Sequence, residues 1–307
     1  KDTSEKVIGR TLGATSHNYV WEEYTIGESG ALYDVWGTDE NNVYAVGGVR
    51  INDTTYGVIH WDGTEWKPEL KVGGKYAIYG FDRDDIWITG TSIYHYNGSN
   101  WIRVSDQDPI LNEYITYTCL WGPSSENLYF GNQGGKIVHW DGRRGRLVSV
   151  NEGKFIKDID GVSNEFIVAV GTSLVPPSLA IYFDGLVWAE FPNVDNLYSI
   201  NSVAIVNKKH IYWGGEGVFE TRGNSFEKTY SSGYYIWDID YNHETGEVYA
   251  SGSFDGIYIH NGIEWKSYKN IASSDGSQYV GICRVDDKVF FVGSNDYKAK
   301  IIIGEKR

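Results

Sequence analysis

Short apolar stretches alternate with polar turns along the whole chain. In the clearest repeat, apolar residues at 32–36, 43–46, 57–61 and 66–70 are separated by turns rich in Gly, Asn and Asp. Strand-length apolar runs bounded by such turn residues are typical of antiparallel hairpins. The pattern therefore predicts a repeat of four short strands.

The repeat returns at a regular spacing. A glycine closes the second strand of every repeat, and successive glycines of this series are 38 to 43 residues apart. The series consists of Gly47, Gly90, Gly131, Gly171, Gly214, Gly252 and Gly293. A period of about forty residues built from short strands is typical of a β-propeller. We therefore predict an all-β, seven-bladed β-propeller with four-stranded antiparallel blades.

The last repeat lacks a fourth strand at its carboxyl end, and the missing strand is found at the other end of the chain. Residues 17–24 reproduce the turn-then-Trp pattern of residues 97–101. We predict that residues 19–25 complete the last blade and close the ring, which removes an open sheet edge. No linker interrupts the repeat, so residues 1–307 are predicted to form one domain. The predicted blades span residues 31–72, 73–108, 114–151, 154–193, 197–231, 234–270 and 278–304 plus 19–25.

Composition narrows the range of partners and compartments. The 27 basic and 41 acidic residues give a net charge of −14, which disfavours nucleic acid and anionic membrane surfaces. No apolar run is long enough to form a transmembrane segment. The chain contains no Met and starts with polar residues, so we expect a processed protein that is secreted, periplasmic or at the cell surface, including a former lipoprotein. We also expect a monomer.

The two cysteines, Cys119 and Cys283, fall on the first strands of the third and seventh repeats. A disulfide requires Cα atoms within about 7 Å of each other, and these two positions are far apart around a ring. We predict that both are buried free thiols that pack as small apolar residues.

A turn of the form xDGxxW recurs, and it carries a family resemblance. It occurs at residues 62–66, 97–101, 184–188 and 261–265, with Asn in place of Asp in two of them. The chain resembles Asp-box propellers distantly, and it resembles bacterial secreted propellers whose repeat has Trp-Gly followed by Val-Tyr-Ala-Val-Gly. Residues 36–47 match the second pattern. The Ser or Thr and the Gly spacing of a full Asp box are absent, and the resemblance implies a fold more than an activity.

The same periodicity explains two sets of residues that otherwise suggest ligand sites. His60, His95 and His139 occupy one column in three successive repeats, too far apart to share a metal ion. Trp21, Trp66, Trp101, Trp188 and Trp265, with Phe226 as a substitute, begin the outer strands. They either seal the blade edges or form the sugar pockets of a multivalent lectin. Acidic turns at 39–40, 82–85 and 286–287 lack the spacing of a known calcium loop. No metal or other cofactor is predicted.

The inner strand is the exception, because its chemistry varies from repeat to repeat. One column reads Asp34, Ala77, Cys119, Asp158, Asn201, Asp238 and Gly281, and the next-but-one column reads Trp36, Tyr79, Trp121, Asp160, Val203, Asp240 and Cys283. Inner strands border the central channel, and an asymmetric ligand requires such variation. Packing between blades, with buried acids bonded to backbone, is the alternative. The candidate ligand-binding residues at the central face are Asp34, Trp36, Tyr79, Trp121, Asp158, Asp160, Asp238 and Asp240.

Three functions remain open at this stage. The regular repeat without a recognisable catalytic set favours a non-catalytic binding or scaffold module whose ligand is a protein or a glycan. The inner-strand acids allow a carbohydrate-active hydrolase or lyase with paired carboxylates, which must lie roughly 5–9 Å apart. The Trp column allows a multivalent lectin. No nucleophile-elbow sequence supports Ser-His-Asp chemistry.

Overall fold

A computed structural model describes residues 15–113, 115–173, 177–192, 194, 197–254, 256–268, 271 and 276–307. Within these residues, 28 strands form seven antiparallel sheets of four strands each. The only helical element of the described part is a 3-10 turn at Ser105–Gln107. Nothing helical in these ranges is long and apolar enough to cross a bilayer.

Each sheet is one blade, and its strands follow one another from the inner to the outer position. Blades 1 to 3 consist of β2 (Ser29–Asp39), β3 (Asn42–Ile51), β4 (Thr54–Trp61) and β5 (Trp66–Leu70); β6 (Lys75–Asp82), β7 (Asp85–Gly90), β8 (Tyr94–Tyr96) and β9 (Trp101–Arg103); and β10 (Tyr117–Ser124), β11 (Asn127–Asn132), β12 (Lys136–Trp140) and β13 (Gly145–Val150).

Blades 4 to 7 repeat this order. They consist of β14 (Lys154–Ser163), β15 (Phe166–Ser173), β16 (Leu179–Phe183) and β17 (Trp188–Glu190); β18 (Ile200–Asn207), β19 (His210–Gly215), β20 (Gly217–Arg222) and β21 (Ser225–Tyr230); β22 (Ile236–Tyr241), β23 (Val248–Gly252), β24 (Gly256–His260) and β25 (Trp265–Ser267); and β26 (Gln278–Val285), β27 (Lys288–Asn295) and β28 (Lys298–Lys306) with β1 (Tyr19–Ile26).

The inner strands surround a central channel. Each of β2, β6, β10, β14, β18, β22 and β26 packs against the inner strand of the next blade, and β26 packs against β2. This closed succession confirms the predicted all-β, seven-bladed propeller. In the described part of the chain, the apolar core lies between the blades in seven clusters, among them one that joins Leu32 and Val35 to Phe290 and Ile301.

The ring is closed by strands from both ends of the chain, as predicted for residues 19–25. Strand β1 pairs with β28, with Trp21 opposite Gly304. Strand β1 also contacts blade 6, because the hydroxyl of Tyr19 lies 3.2 Å from that of Tyr249. Because β1 pairs with β28, blade 7 has four strands like each of the other blades.

A buried carboxylate strengthens this closure. Glu247 is 1% exposed. It accepts hydrogen bonds from Lys306 Nζ (2.8 Å), Thr15 Oγ1 (2.5 Å) and Tyr249 Oη (2.9 Å). Although burial alone raises the pKa of a carboxyl, these donors hold the pKa of Glu247 below its usual value.

The histidine column is part of the blade architecture. His60 stacks on Tyr44, and its Nε2 lies 2.8 Å from Asn42 Oδ1. The same pair of contacts, a stacked ring and a polar partner at the start of the second strand, recurs for His95 and His139. Each histidine is therefore satisfied within its own blade, as the repeat predicts.

The tryptophans of the outer strands pack against the preceding blade. Trp66 contacts Phe290 of blade 7, and Trp188 contacts Tyr129 of blade 3. All five indoles of the column are only partly exposed. The lectin alternative required solvent-exposed faces here, whereas these rings seal the contacts between blades.

Candidate binding site at the central channel

A cavity of about 330 Å³ opens at the mouth where the inner strands end. All eight residues predicted from the inner-strand columns line it: Asp34, Trp36, Tyr79, Trp121, Asp158, Asp160, Asp238 and Asp240. Arg284, which lies one residue before the end of the inner strand of blade 7, lines it as well. Alternate residues of a strand point to the same side, so the two columns face the channel together.

The predicted register of blade 5 was wrong by one residue. In the paired strands, Ser202 lies opposite Gly214 and Ala204 opposite Tyr212. They occupy the places that Asp158 and Asp160 hold in blade 4, opposite Val170 and Val168. Asn201 and Val203 therefore do not belong to the two columns, and Asn201 is instead the bulged residue that the pairing skips, at the place of Lys157 in blade 4. The sequence did carry a signal for the correct register: Ile200 is apolar like Ile156 of blade 4, and each lies two residues before the first channel position of its blade.

The three acids of the first column, which belong to blades 1, 4 and 6, each bond their own blade to the next one. Asp34 accepts a hydrogen bond from its neighbour Val35 N (2.8 Å) and another from Ile78 N of blade 2 (2.9 Å). Asp158 does the same with Ile159 N and Val203 N of blade 5, both at 2.8 Å.

Two further acids continue this arrangement. Asp238 accepts hydrogen bonds from Ile239 N and from Ile282 N of blade 7, both at 2.8 Å. Asp160, in the second column, accepts them from Gly161 N and Ile205 N, both at 2.7 Å. Both oxygens of each carboxyl are thus committed to backbone donors, and these donors belong to two different blades.

Ser202, which the sequence analysis missed, bridges two of these acids. Its Oγ lies 2.9 Å from Asp158 Oδ2 and 2.9 Å from Asp238 Oδ1. A hydroxyl has one proton to donate. Both contacts are hydrogen bonds only if one of the two carboxyls is protonated and donates to Ser202.

The electrostatics agree with shared protons. Burial raises the pKa of Asp34 and of Asp160 to about 7. Burial also raises the pKa of Asp158, Asp238 and Asp240, and for Asp238 the nearby charges of Asp158 and Asp34 add to the effect. These side chains are only partly exposed, and all five line the channel cavity. The channel therefore carries less negative charge near neutral pH than its five carboxyls suggest.

The aromatic half of the cavity belongs to blades 1 to 3. The indole of Trp36 lies against Gly80 of the next blade, where a Cβ would come within 2.5 Å of the ring. Trp121 lies against Gly161 in the same way. These two glycines make room for the rings, which then present their remaining surface to the cavity beside Tyr79.

The opposite half carries the charge. Arg284 is partly exposed, and its Nε is buried without a hydrogen-bond partner among the described residues. Its positive charge lowers the pKa of Asp240, although burial of that carboxyl is the larger effect and raises it. A buried donor without a partner costs free energy, so a ligand with an acceptor group would gain by reaching it.

This geometry does not provide a free pair of catalytic carboxylates. Asp158 and Asp238 are brought together by Ser202, but every oxygen of both acids already accepts a hydrogen bond. No three His, Cys, Asp or Glu side chains meet in metal-binding geometry within the described ranges. The two thiols, Cys119 and Cys283, are free and buried, as predicted.

The fold and the cavity define a class of protein, a seven-bladed β-propeller with a lined central channel. No protein-family model matches the chain, and no curated protein matches it either. The resemblance to Trp-Gly and xDGxxW repeat propellers therefore rests on the motifs alone.

Solved structures share the fold. The structure of YCF48 bound to D1 peptide has a TM-score of 0.70 at 15% identity, covering 96% of this chain and 99% of that chain. The WD40 β-propeller domain of Doa1 has a TM-score of 0.69 at 13% identity, covering 93% and 96%. YCF48 from Cyanidioschyzon merolae has a TM-score of 0.66 at 15% identity, covering 93% and 98%. At these identities the similarity shows the fold.

Proposed function

We propose that this chain is a non-catalytic, extracytoplasmic binding propeller that recognises a protein ligand at the central cavity. One observation carries the proposal: four of the five channel acids accept hydrogen bonds from the next blade, while the aromatic side chains of blades 1 to 3 and Arg284 line the cavity and remain available to a ligand. The acids therefore build the site, and Trp36, Tyr79 and Arg284 make the contacts.

A protein ligand is favoured over a glycan for two reasons. Partly buried aromatic rings and a desolvated Arg are the residues that dominate binding energy at protein interfaces. One structural neighbour, YCF48, is described as bound to a peptide. Arg284, with its unpartnered Nε, suits a backbone carbonyl or a carboxylate of such a segment.

Selection of binders from a displayed library of random peptides would test the proposal. Selected peptides are measured by calorimetry against the parent protein, Arg284→Gln and Arg143→Gln. Arg143→Gln is the matched control, because it removes the same charge from an exposed outer turn. We expect Arg284→Gln to weaken binding at least about tenfold and Arg143→Gln to leave it unchanged.

A glycan array on the same samples separates the alternatives. Glycan binding that Arg284→Gln weakens, in the absence of peptide binding, would assign a glycan ligand to the cavity. Cleavage of any glycan would refute the non-catalytic proposal. Peptides that bind the parent and Arg284→Gln equally would show that the cavity is not the site. Light scattering tests the monomer, and fractionation of producing cells tests the location.

A further inference from the structure

The mouth at the other end of the channel, where the inner strands begin, is lined by its own set of side chains. In every blade, the pairing between the two innermost strands skips one residue of the inner strand at the same position. A β-bulge of this kind turns a side chain away from its regular direction. We call these seven residues the bulge ring: Tyr33, Tyr76, Thr118, Lys157, Asn201, Trp237 and Val280.

All seven members of the bulge ring line one cavity of about 110 Å³. One water molecule needs about 10–15 Å³ by the same kind of measure, so this cavity is the size of a single side chain. The inner-strand residues below the ring, Asp34, Asp158 and Asp238, line it too. The same three acids also line the larger cavity, which opens at the opposite mouth, so they lie between the two cavities.

The bulge ring has an apolar half and a polar half. Trp237, Val280, Tyr33 and Tyr76 come from four successive blades, numbers 6, 7, 1 and 2, and the rings of Tyr33 and Tyr76 stack with centroids 4.9 Å apart. In blades 3 to 5 the ring is polar.

Within the described ranges, two side chains of the polar half form hydrogen bonds to the next blade, and the third does not. Thr118 donates to Ile156 O (2.6 Å) and Asn201 to Ile236 O (2.9 Å), each in the next blade. Lys157 is exposed, and no ion pair to it occurs among the described residues. Lys157 is the one cation of the ring.

An aromatic surface extends from the apolar half toward the rim of blade 6. Tyr234, Tyr235 and Phe254 are 43%, 45% and 57% exposed, and they line a groove of about 420 Å³. Tyr235 lies 5.8 Å from Trp237, between ring centroids, which joins the groove to the bulge ring. Tyrosine and tryptophan give a large contact area at a small cost in side-chain entropy, which suits a polypeptide partner.

We propose that the bulge ring is a second docking site, and that it receives one Lys or Arg side chain from a surface segment of a partner protein. The apolar stem of that side chain would lie on Tyr33, Tyr76 and Trp237, whose ring faces attract cations. Its charged head would lie above Asp34 and Asp238, where a cation would favour the ionised form of these carboxyls and so offset the effect of burial. The net charge of −14 attracts a basic segment from a distance.

A titration with acetylated, amidated tripeptides tests this site. Gly-Lys-Gly and Gly-Arg-Gly serve as probes and Gly-Gln-Gly as the uncharged control, all followed by saturation-transfer NMR. We expect the two cationic peptides to bind saturably and at least about fivefold more tightly than the control. This difference should shrink as salt is added.

Two exposed positions give opposite expected effects on binding of Gly-Arg-Gly. Lys157→Gln removes the like charge from the ring and should tighten binding about threefold. Tyr33→Ser removes one aromatic face and should weaken binding about three- to tenfold. Lys209→Gln, which removes an exposed charge from the turn between β18 and β19, is the matched control and should change nothing. Thermal unfolding confirms that each variant is folded.

The proposal is overturned if the neutral peptide binds as well as the cationic ones, or if Lys157→Gln and Lys209→Gln have equal effects. A glycan that binds the parent and is lost on Tyr234→Ala but not on Lys157→Gln would also overturn it, because it would assign the aromatic surface to carbohydrate. None of these results depends on Arg284, so failure here leaves the proposal for the opposite mouth unaffected.

Discussion

Lys75 is buried where the other blades have an apolar residue, and its titration should be visible in the stability of the whole protein. It is 1% exposed and pairs with Gly90, whereas the equivalent pairs in blades 1 and 4 are Leu32 with Gly47 and Ile156 with Gly171. Its Nζ donates to Ser92 O (3.1 Å) and Ser92 Oγ (2.9 Å), and it lies 4.7 Å from the centroid of the Tyr94 ring. The structure shows no carboxylate paired with it in the described part of the chain.

Burial, and to a smaller degree the charge of Arg103, lowers the pKa of Lys75 from 10.5 to about 8. Between these two values the unfolded chain binds more protons than the folded protein, so stability rises with pH. For a shift of this size, Lys75 should add about 2 kcal/mol to the free energy of unfolding between about pH 7 and about pH 9.5.

The perturbation is Lys75→Met, which keeps the length of the stem and removes the titrating group. Urea unfolding followed by tryptophan fluorescence gives the free energy of unfolding of parent and variant across this pH range. Other titrating groups, including the tyrosines, contribute equally to both proteins and cancel in the difference. We expect parent minus variant to increase by about 2 kcal/mol with pH.

The sign of the difference at a single pH is not the test, because Lys75→Met also leaves Ser92 without its partner, at about 1–3 kcal/mol. The double variant Lys75→Met/Ser92→Ala removes the part of that cost that belongs to the Ser92 hydroxyl and should show the same dependence on pH. A difference between parent and variant that stays constant from about pH 7 to about pH 9.5 would refute the reasoning and would mean that Lys75 titrates normally.

Three further predictions concern buried groups. Glu247→Gln should lower the free energy of unfolding by about 2–3 kcal/mol by weakening the bond to Lys306. Because the folded pKa of Glu247 is lowered, this loss should be full above the unfolded pKa of 4.5 and should shrink as acid protonates Glu247 in the parent. An unchanged urea midpoint would contradict this. Asp34 and Asp160 have folded pKa values of about 7, above the unfolded value of 3.8. Their contribution should therefore make the free energy of unfolding fall as pH rises from about 4 to about 7. Asp34→Asn should make that fall smaller when parent and variant are compared by thermal unfolding across this pH range. Burial raises the pKa of Cys119 and Cys283, so neither should react with a thiol reagent in the native protein and both should react in urea; fast native labelling would show that the channel wall opens.

The sequence predicted the architecture well because a propeller repeats the same short strand and turn patterns in every blade. Hairpin turns, glycine positions and the final Trp21 strand are each local patterns, and seven copies reinforce one another. The candidate residues of the channel were selected for a related reason, although their role as a ligand site stays a prediction. A scaffold position repeats its chemistry, so the two inner-strand columns were recognised by their variation, and the structure brings all eight named residues to one cavity.

The roles of those residues could not be predicted from the sequence. Whether Asp34 binds a ligand or joins two blades depends on where Ile78 N lies, a donor 44 residues away in sequence. The one-residue bulge has no compositional signal of its own, since Tyr33, Lys157 and Val280 all occupy it. For that reason the bulge ring was not predicted. Ser202 was missed because blade 5 was aligned on Gly214, whereas Gly215 is the glycine that lies opposite Ile200.

The sequence by itself determined the number of blades, the four-stranded plan and the closure of the ring by β1, because each follows from alternation, turns and periodicity within a few residues. Only the tertiary structure decided the register of the bulges, the hydrogen bonds of the channel acids, the burial of Lys75 and the two separate mouths. Those features depend on backbone donors and rings contributed by the neighbouring blade. Their positions are set by packing around the ring, not by the local sequence.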